Sequence, residues 1–212
     1  MIITFQLGHK LAKADLTKPI DISLETKEKT GFKAWYSPAV TSNVIRGENF
    51  IGSVKEGGSV NFKEVMINPH ANMTHTESVG HISKEEVPVN GVLNRFHFIA
   101  QLISVKPTLM DGNLEKPIQK GDLCILKSAL EDKINPRAEA IIIKTQPNLE
   151  ELKTKNYDGT NWPYLHPKTA AYIREKGIRH LLIDQPSVDK EFDDGMLLSC
   201  LLYTSPSPRD QS

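Results

Sequence analysis

The sequence predicts a β-rich α/β domain. Segments rich in Val, Ile and Phe recur between turn residues along the whole chain. Only one stretch carries both a helix start and a helix stop. The 212 residues suffice for one domain with a hydrophobic core, and no linker is visible within 1–199.

Taken in order, the first expected strand is IITFQL (2–7), followed by PIDISLE (19–25). Residues 26–47 are polar with scattered aromatics, Phe32, Trp35 and Tyr36, and read as a loop and candidate lid. NFIGSV (49–54) and SVNFKEVMI (59–67) are strands separated by a tight turn at KEGGS. Residues 81–95 fit neither period. RFHFIAQLISV (95–105), DLCILKSAL (122–130), EAIIIKT (139–145) and RHLLID (179–184) complete the strands. Before the last of these, Pro167 suits a first helical position and Gly177 a left-handed end. Arg174 and Lys176 in the last turn complement the macrodipole.

Composition excludes some classes. Lys+Arg and Asp+Glu both number 26, so no basic excess points to nucleic acid or a membrane surface. No apolar run approaches the roughly 18–20 residues that cross a bilayer. The N-terminus lacks a secretory pattern. Two cysteines, Cys124 and Cys200, make no disulfide framework, which implies a reducing, cytoplasmic setting.

The chemistry is concentrated in HANMTHTESVGH (70–81), with three imidazoles and one carboxylate. In an extended segment His75 and Glu77 point the same way, and His70 on the incoming turn can reach the same point. Imidazole nitrogen and carboxylate oxygen suit a divalent first-row ion. Three protein ligands leave a position for water, whose pKa such an ion lowers to roughly 7. His81, beyond Gly80, is placed to shuttle a proton. Two other readings stay open: a metal- or ligand-binding protein without catalysis, and a β-rich interaction protein with incidental histidines. His97, His166 and His180 read as packed or surface residues, and Trp162 and Tyr164 chiefly as core or pocket wall.

The cluster resembles the H-x-G-T-H-x-D-x-P-x-H signature of the cyclase family of metal-dependent hydrolases, which includes kynurenine formamidases. Thr74 and His75 match its T-H, Glu77 stands at its D, and His81 matches its last H. Met73 replaces the usual Gly, Val79 the usual Pro, and His70 lies one residue further away. GIRHLLIDQPSVD (177–189) resembles the family's D-x-P-S-x-D stretch, carried here by Asp184, Pro186, Ser187 and Asp189. PIDIS and the run from GSVKEGGSVNF to NPH resemble further family stretches, so the likeness spans most of 16–199.

The resemblance implies a swivelling β/β/α domain, usually oligomeric, acting on a small-molecule amide, either N-formyl (as in formylkynurenine) or cyclic. It implies one or two divalent ions, zinc or manganese. His70, His75 and Glu77 would hold the first, Glu77 would bridge to a second, and His81 would be the general acid/base. Asp184, Ser187, Asp189 and Trp162 become candidates for the pocket rim. The family's remaining ligands, a His and a Glu, fall later in the chain. Here residues 200–210 resemble a translated sequencing adapter, and 200–212 are set aside as non-native. Residues 1–199 are therefore read as the N-terminal part of a longer hydrolase domain, and the 212-residue chain is expected to be poorly soluble and inactive.

Overall fold

The fold is described from a computed structural model, for residues 1–193 apart from Asn113 and Leu149. The adapter-like stretch and Cys200 lie outside the described residues. The architecture is mixed α/β, with few helices and several small sheets.

Strand β1 (Ile2–Leu7) forms an antiparallel hairpin with β2 (Lys10–Asp15), closed by Gly8 at φ 65°. The sequence KLAKAD carries no β-branched residue, so β2 was invisible without its partner. The strand expected at 19–25 does not form. The Asp21 carboxylate accepts hydrogen bonds from the Ser23 amide (2.9 Å) and hydroxyl (2.7 Å), a local turn that competes with strand pairing.

The expected loop 26–47 contains β3 (Thr41–Val44) and β4 (Arg46–Gly47). The strand expected at 49–54 shrinks to β5 (Phe50–Ile51), paired with β4. A 3-10 turn at Val54–Glu56, ended by Gly57 at φ 91°, cuts it short. The next strand is β6 (Lys63–Met66), antiparallel to β3. Two single-turn helices follow, α1 (Pro69–Asn72) and α2 (Val89–Val92), the latter within the ambiguous stretch 81–95.

The C-terminal half holds the main core. Its strands are β7 (Ala100–Val105), β8 (Thr108–Leu109), β9 (Leu123–Ile125), β10 (Ala140–Thr145) and β11 (Tyr164–Leu165), followed by α3 (Pro167–Glu175) and β12 (His180–Ile183). A parallel sheet runs β12-β10-β7, with Ile142 opposite both Leu102 and Leu182. A second sheet runs β11-β9-β8. The strand expected over 122–130 stops at Ile125 because the start of α3 takes that residue's carbonyl. It accepts from the His166 amide (3.1 Å) and the Thr169 hydroxyl (2.7 Å). The chain then turns through Lys127–Ala129.

Helix α3 forms where expected. The His166 ring accepts from the Lys168 amide at 3.1 Å, Pro167 opens the first turn, and Gly177 follows at φ 70°. Its buried stripe, Thr169, Ala170, Tyr172 and Ile173, has helical spacing. It joins Ile103, Val105, Ile125, Leu130, Ile141, Ile143 and Leu165 in one cluster. The opposite face of the parallel sheet is open: Leu102 is 57% and Leu182 42% exposed. Parallel sheets are usually covered on both faces. A second, smaller core packs Ala34, Tyr157 and Trp162 with Phe32, Trp35 and Leu152.

Cys124 lies fully buried in the main core, and burial pushes its thiol up to about 11. A thiol so placed is inert. Iodoacetamide at mildly alkaline pH should modify the Cys124 peptide only after denaturation, as read by peptide mass mapping. Native-state labelling at the rate of a free thiol would contradict this packing. Among the described residues no helix is long and apolar enough to cross a membrane.

Candidate metal centre

Everything at this site depends on where α1 is held. Asn68 caps it, its side chain accepting from the His70 amide at 3.1 Å, and Pro69 supplies the first helical residue. Asn72 is 2% exposed and fully engaged: its oxygen accepts from the Asn68 amide (3.1 Å) and its nitrogen donates to the Pro38 carbonyl (3.4 Å). The Ala34 amide donates to the Ala71 carbonyl (3.2 Å), and Asn68 Nδ2 to Ser37 Oγ (3.2 Å). Segment 34–38 therefore clamps the turn that carries His70.

That segment is itself strained. Trp35 and Tyr36 adopt φ 59° and 53°, a region bulky side chains disfavour by about 1–3 kcal/mol each. The Asp158 carboxylate holds it, accepting from the Tyr36 amide at 2.8 Å while paired with Lys33 at 3.6 Å. Trp35 meets the buried Trp162 edge-on, with centroids 5.4 Å apart.

After α1 the chain is extended at Met73 (φ −149°, ψ 156°), which puts His75 and Glu77 on one side. His75 Nδ1–H donates to the Met73 carbonyl at 3.0 Å, and this aims Nε2 at Glu77 Oε1, 2.8 Å away. His70 Nδ1 lies 3.5 Å from the same oxygen, and His81 Nε2 lies 3.7 Å from Oε2. The His70 ring stands edge-on to His75 (4.8 Å) and stacks on His81 (4.5 Å). His81 returns to the cluster through the 3-10 turn Val79–His81, capped by Ser78, which also donates to the Val87 carbonyl. Glycine is required in that turn, since a Cβ on Gly80 would sit 2.5 Å from the Val87 oxygen.

One carboxylate among three imidazoles shifts the titrations. The hydrogen bond to Glu77 raises His75 above the ordinary imidazole value, against the opposing effect of burial. The same bond, helped by the charges of all three rings, lowers Glu77. One ligand atom from each of His70, His75 and Glu77 lies within 4.8 Å of the others. Two nitrogens and one oxygen so grouped fit a first-row divalent ion, which takes such donors at about 2.0–2.2 Å. His75 is held by Met73 in the manner typical of ligating histidines. His70, half exposed, has no hydrogen bond to its ring among the described residues.

The other sequence candidates sit on different elements. Asp184 follows β12, and its carboxylate accepts from the Thr145 amide (2.9 Å) and hydroxyl (2.9 Å) and from Asn148 Nδ2 (3.0 Å). Ser187 Oγ accepts from the Asp189 amide at 3.1 Å. Asp189 is buried, and its carbonyl accepts from Trp162 Nε1 at 3.1 Å. Trp162 is 2% exposed, at the centre of the smaller core. The structure thus brings His70, His75, Glu77 and His81 together, while Asp184, Ser187, Asp189 and Trp162 lie on other elements. Sequence reasoning missed the supports Asn68, Met73, Asn72 and Asp158. Asn68-Pro69 was the available signal, since a cap residue before a first-turn Pro marks a helix start as well as a break.

The chain matches no protein among the curated sequences. A family model named Cyclase, described as putative cyclase, matches residues 14–190, which include His70, His75, Glu77 and His81. With most of its length so matched, the chain belongs to the Cyclase family.

Proposed function

We propose that the protein is a metal-dependent hydrolase of a carbon–nitrogen amide bond, acting on an N-formyl or cyclic amide in the manner of an arylformamidase. The observation that carries this reading is the convergence of His70, His75 and Glu77, with His81 stacked beside them. A zinc or manganese ion, when bound, supplies Lewis acidity and a water of lowered pKa. His75, its Nδ1 fixed on Met73, presents Nε2 as ligand. Glu77 turns one oxygen to His75 and His70 and the other towards His81. His81 Nε2, which faces that second oxygen at 3.7 Å, would accept a proton from the attacking water and then pass it to the leaving nitrogen. Family membership supports an enzyme of hydrolase or cyclase type; the swivelling β/β/α arrangement and a homo-oligomer are part of the same proposal. The open face of the parallel sheet is a surface an oligomer would cover. A buried free thiol accords with the cytoplasm.

The test is His81→Asn in the full-length hydrolase domain loaded with zinc or manganese. Hydrolysis of an N-formyl aryl amide should fall by about 10²–10⁴-fold while the bound metal stays stoichiometric. A parent protein that binds metal but hydrolyses no amide would mean binding without catalysis. One that takes up no divalent ion would overturn the reading.

A further inference from the structure

Open parallel sheets bind ligands beyond the carboxyl ends of their strands. That edge of β12-β10-β7 carries a solvent-open basin of about 570 Å³, lined by Lys106, Lys144, Gln146, Pro147 and Asn148. Lys106 directly follows β7, and Lys144 is the penultimate residue of β10. The Gln146 amide donates to the Val105 carbonyl at 2.8 Å, which ties the two strand ends together.

The wall beside Asn148 is built from a hydrogen-bonded network. The Asp184 carboxylate is occupied by Thr145 and Asn148, and Gln185 Nε2 donates to Thr145 Oγ1 at 2.7 Å. The Asp184 carboxylate is therefore committed to holding the loop after β10. Lys106 and Lys144 are both exposed and have no ion-pair partner among the described residues. Two cations share one basin with side-chain amide donors and no carboxylate in its lining. An anion carrying two charges relieves their repulsion and accepts hydrogen bonds from both.

We propose that this basin binds a phosphate-type dianion, through Lys106 and Lys144, on a loop set by Asp184. The site is separate from the histidine cluster, and the proposal stands whether or not the protein is a hydrolase.

Metal-free protein would be titrated with inorganic phosphate, with ionic strength held constant by potassium chloride, and followed by calorimetry. Saturable binding at one site in the millimolar range is expected. Lys106→Gln/Lys144→Gln should weaken it about tenfold or more. His75→Ala, which removes a member of the other cluster, should leave it unchanged. Glycerol phosphate binding as tightly as phosphate would show that the basin accepts the phosphate group of a larger ligand. Much weaker binding would restrict it to the free ion. The proposal is overturned if phosphate gives no saturable signal, if the double variant binds like wild type, or if His75→Ala abolishes binding.

Discussion

His75→Ala in the full-length hydrolase domain is expected to remove stoichiometric metal binding and to lower amide hydrolysis by about three orders of magnitude or more. The ion's Lewis acidity is worth several kcal/mol, and each 1.4 kcal/mol is about tenfold in rate. His75 is the best-organised member of the cluster, because Met73 fixes one nitrogen and Glu77 faces the other. His70→Ala removes the less restrained ring and should cost less affinity. The measurement is metal content after dialysis, set beside the turnover of loaded protein. A His75→Ala protein that keeps one tightly bound ion and wild-type turnover would place the metal elsewhere.

The same pair predicts a pH dependence. A metal needs His75 neutral, and Glu77 raises the pH at which His75 loses its proton. Metal affinity should therefore fall as pH drops through that raised value, with proton release on binding. In metal-free protein the sign for stability is opposite. The His75 contribution is complete below its ordinary value of 6.5 and is lost as pH rises through the folded value. The Glu77 contribution is complete above its ordinary 4.5 and is lost as pH falls through its lowered value. The pair stabilises the apo protein most between those two ordinary values. Tm of metal-free wild type minus that of His75→Ala, followed against pH, should peak in that window.

The sequence showed the clustering of His70, His75 and Glu77 but not its support, and the reason is range. His75 and Glu77 are two residues apart, so the alternation of an extended chain alone brings them together. His81 also reaches Glu77 within one short turn. The clamp on α1 comes from residues 34–38 and, through Asp158, from a part of the chain more than a hundred positions away. Periodicity carries no trace of such contacts. The same distinction governs the fold. The Ile-rich β10 and the capped α3 announced themselves, being buried by their own local pattern. The two-residue strands β8 and β11 exist only because β9 lies between them. Residues 19–25 had a strand's composition but no partner strand, and the Asp21–Ser23 turn prevailed.

Trp162→Ala should produce the largest loss of stability and should also loosen the metal site. Deleting a buried Trp side chain costs about 3–5 kcal/mol, which for a chain of this size lowers Tm by about 6–20 °C. The indole fills the smaller core against Ala34, Tyr157 and Trp35, and its N–H holds the Asp189 carbonyl. Trp35 sits in a strained backbone that loses its packing partner when the indole goes, so segment 34–38 should relax away from left-handed geometry. Three hydrogen bonds then weaken at α1: Ala34 to Ala71, Asn68 to Ser37, and Asn72 to Pro38. The His70 ring, which no hydrogen bond fixes among the described residues, follows the turn that carries it. Metal affinity measured well below the lowered Tm should fall about 10–100-fold, the range typical of lost outer supports. Ile143→Ala in the main core is the control, since it should lower Tm without touching the clamp. If both variants lose metal affinity equally, or if Trp162→Ala loses none, the smaller core does not position the histidines.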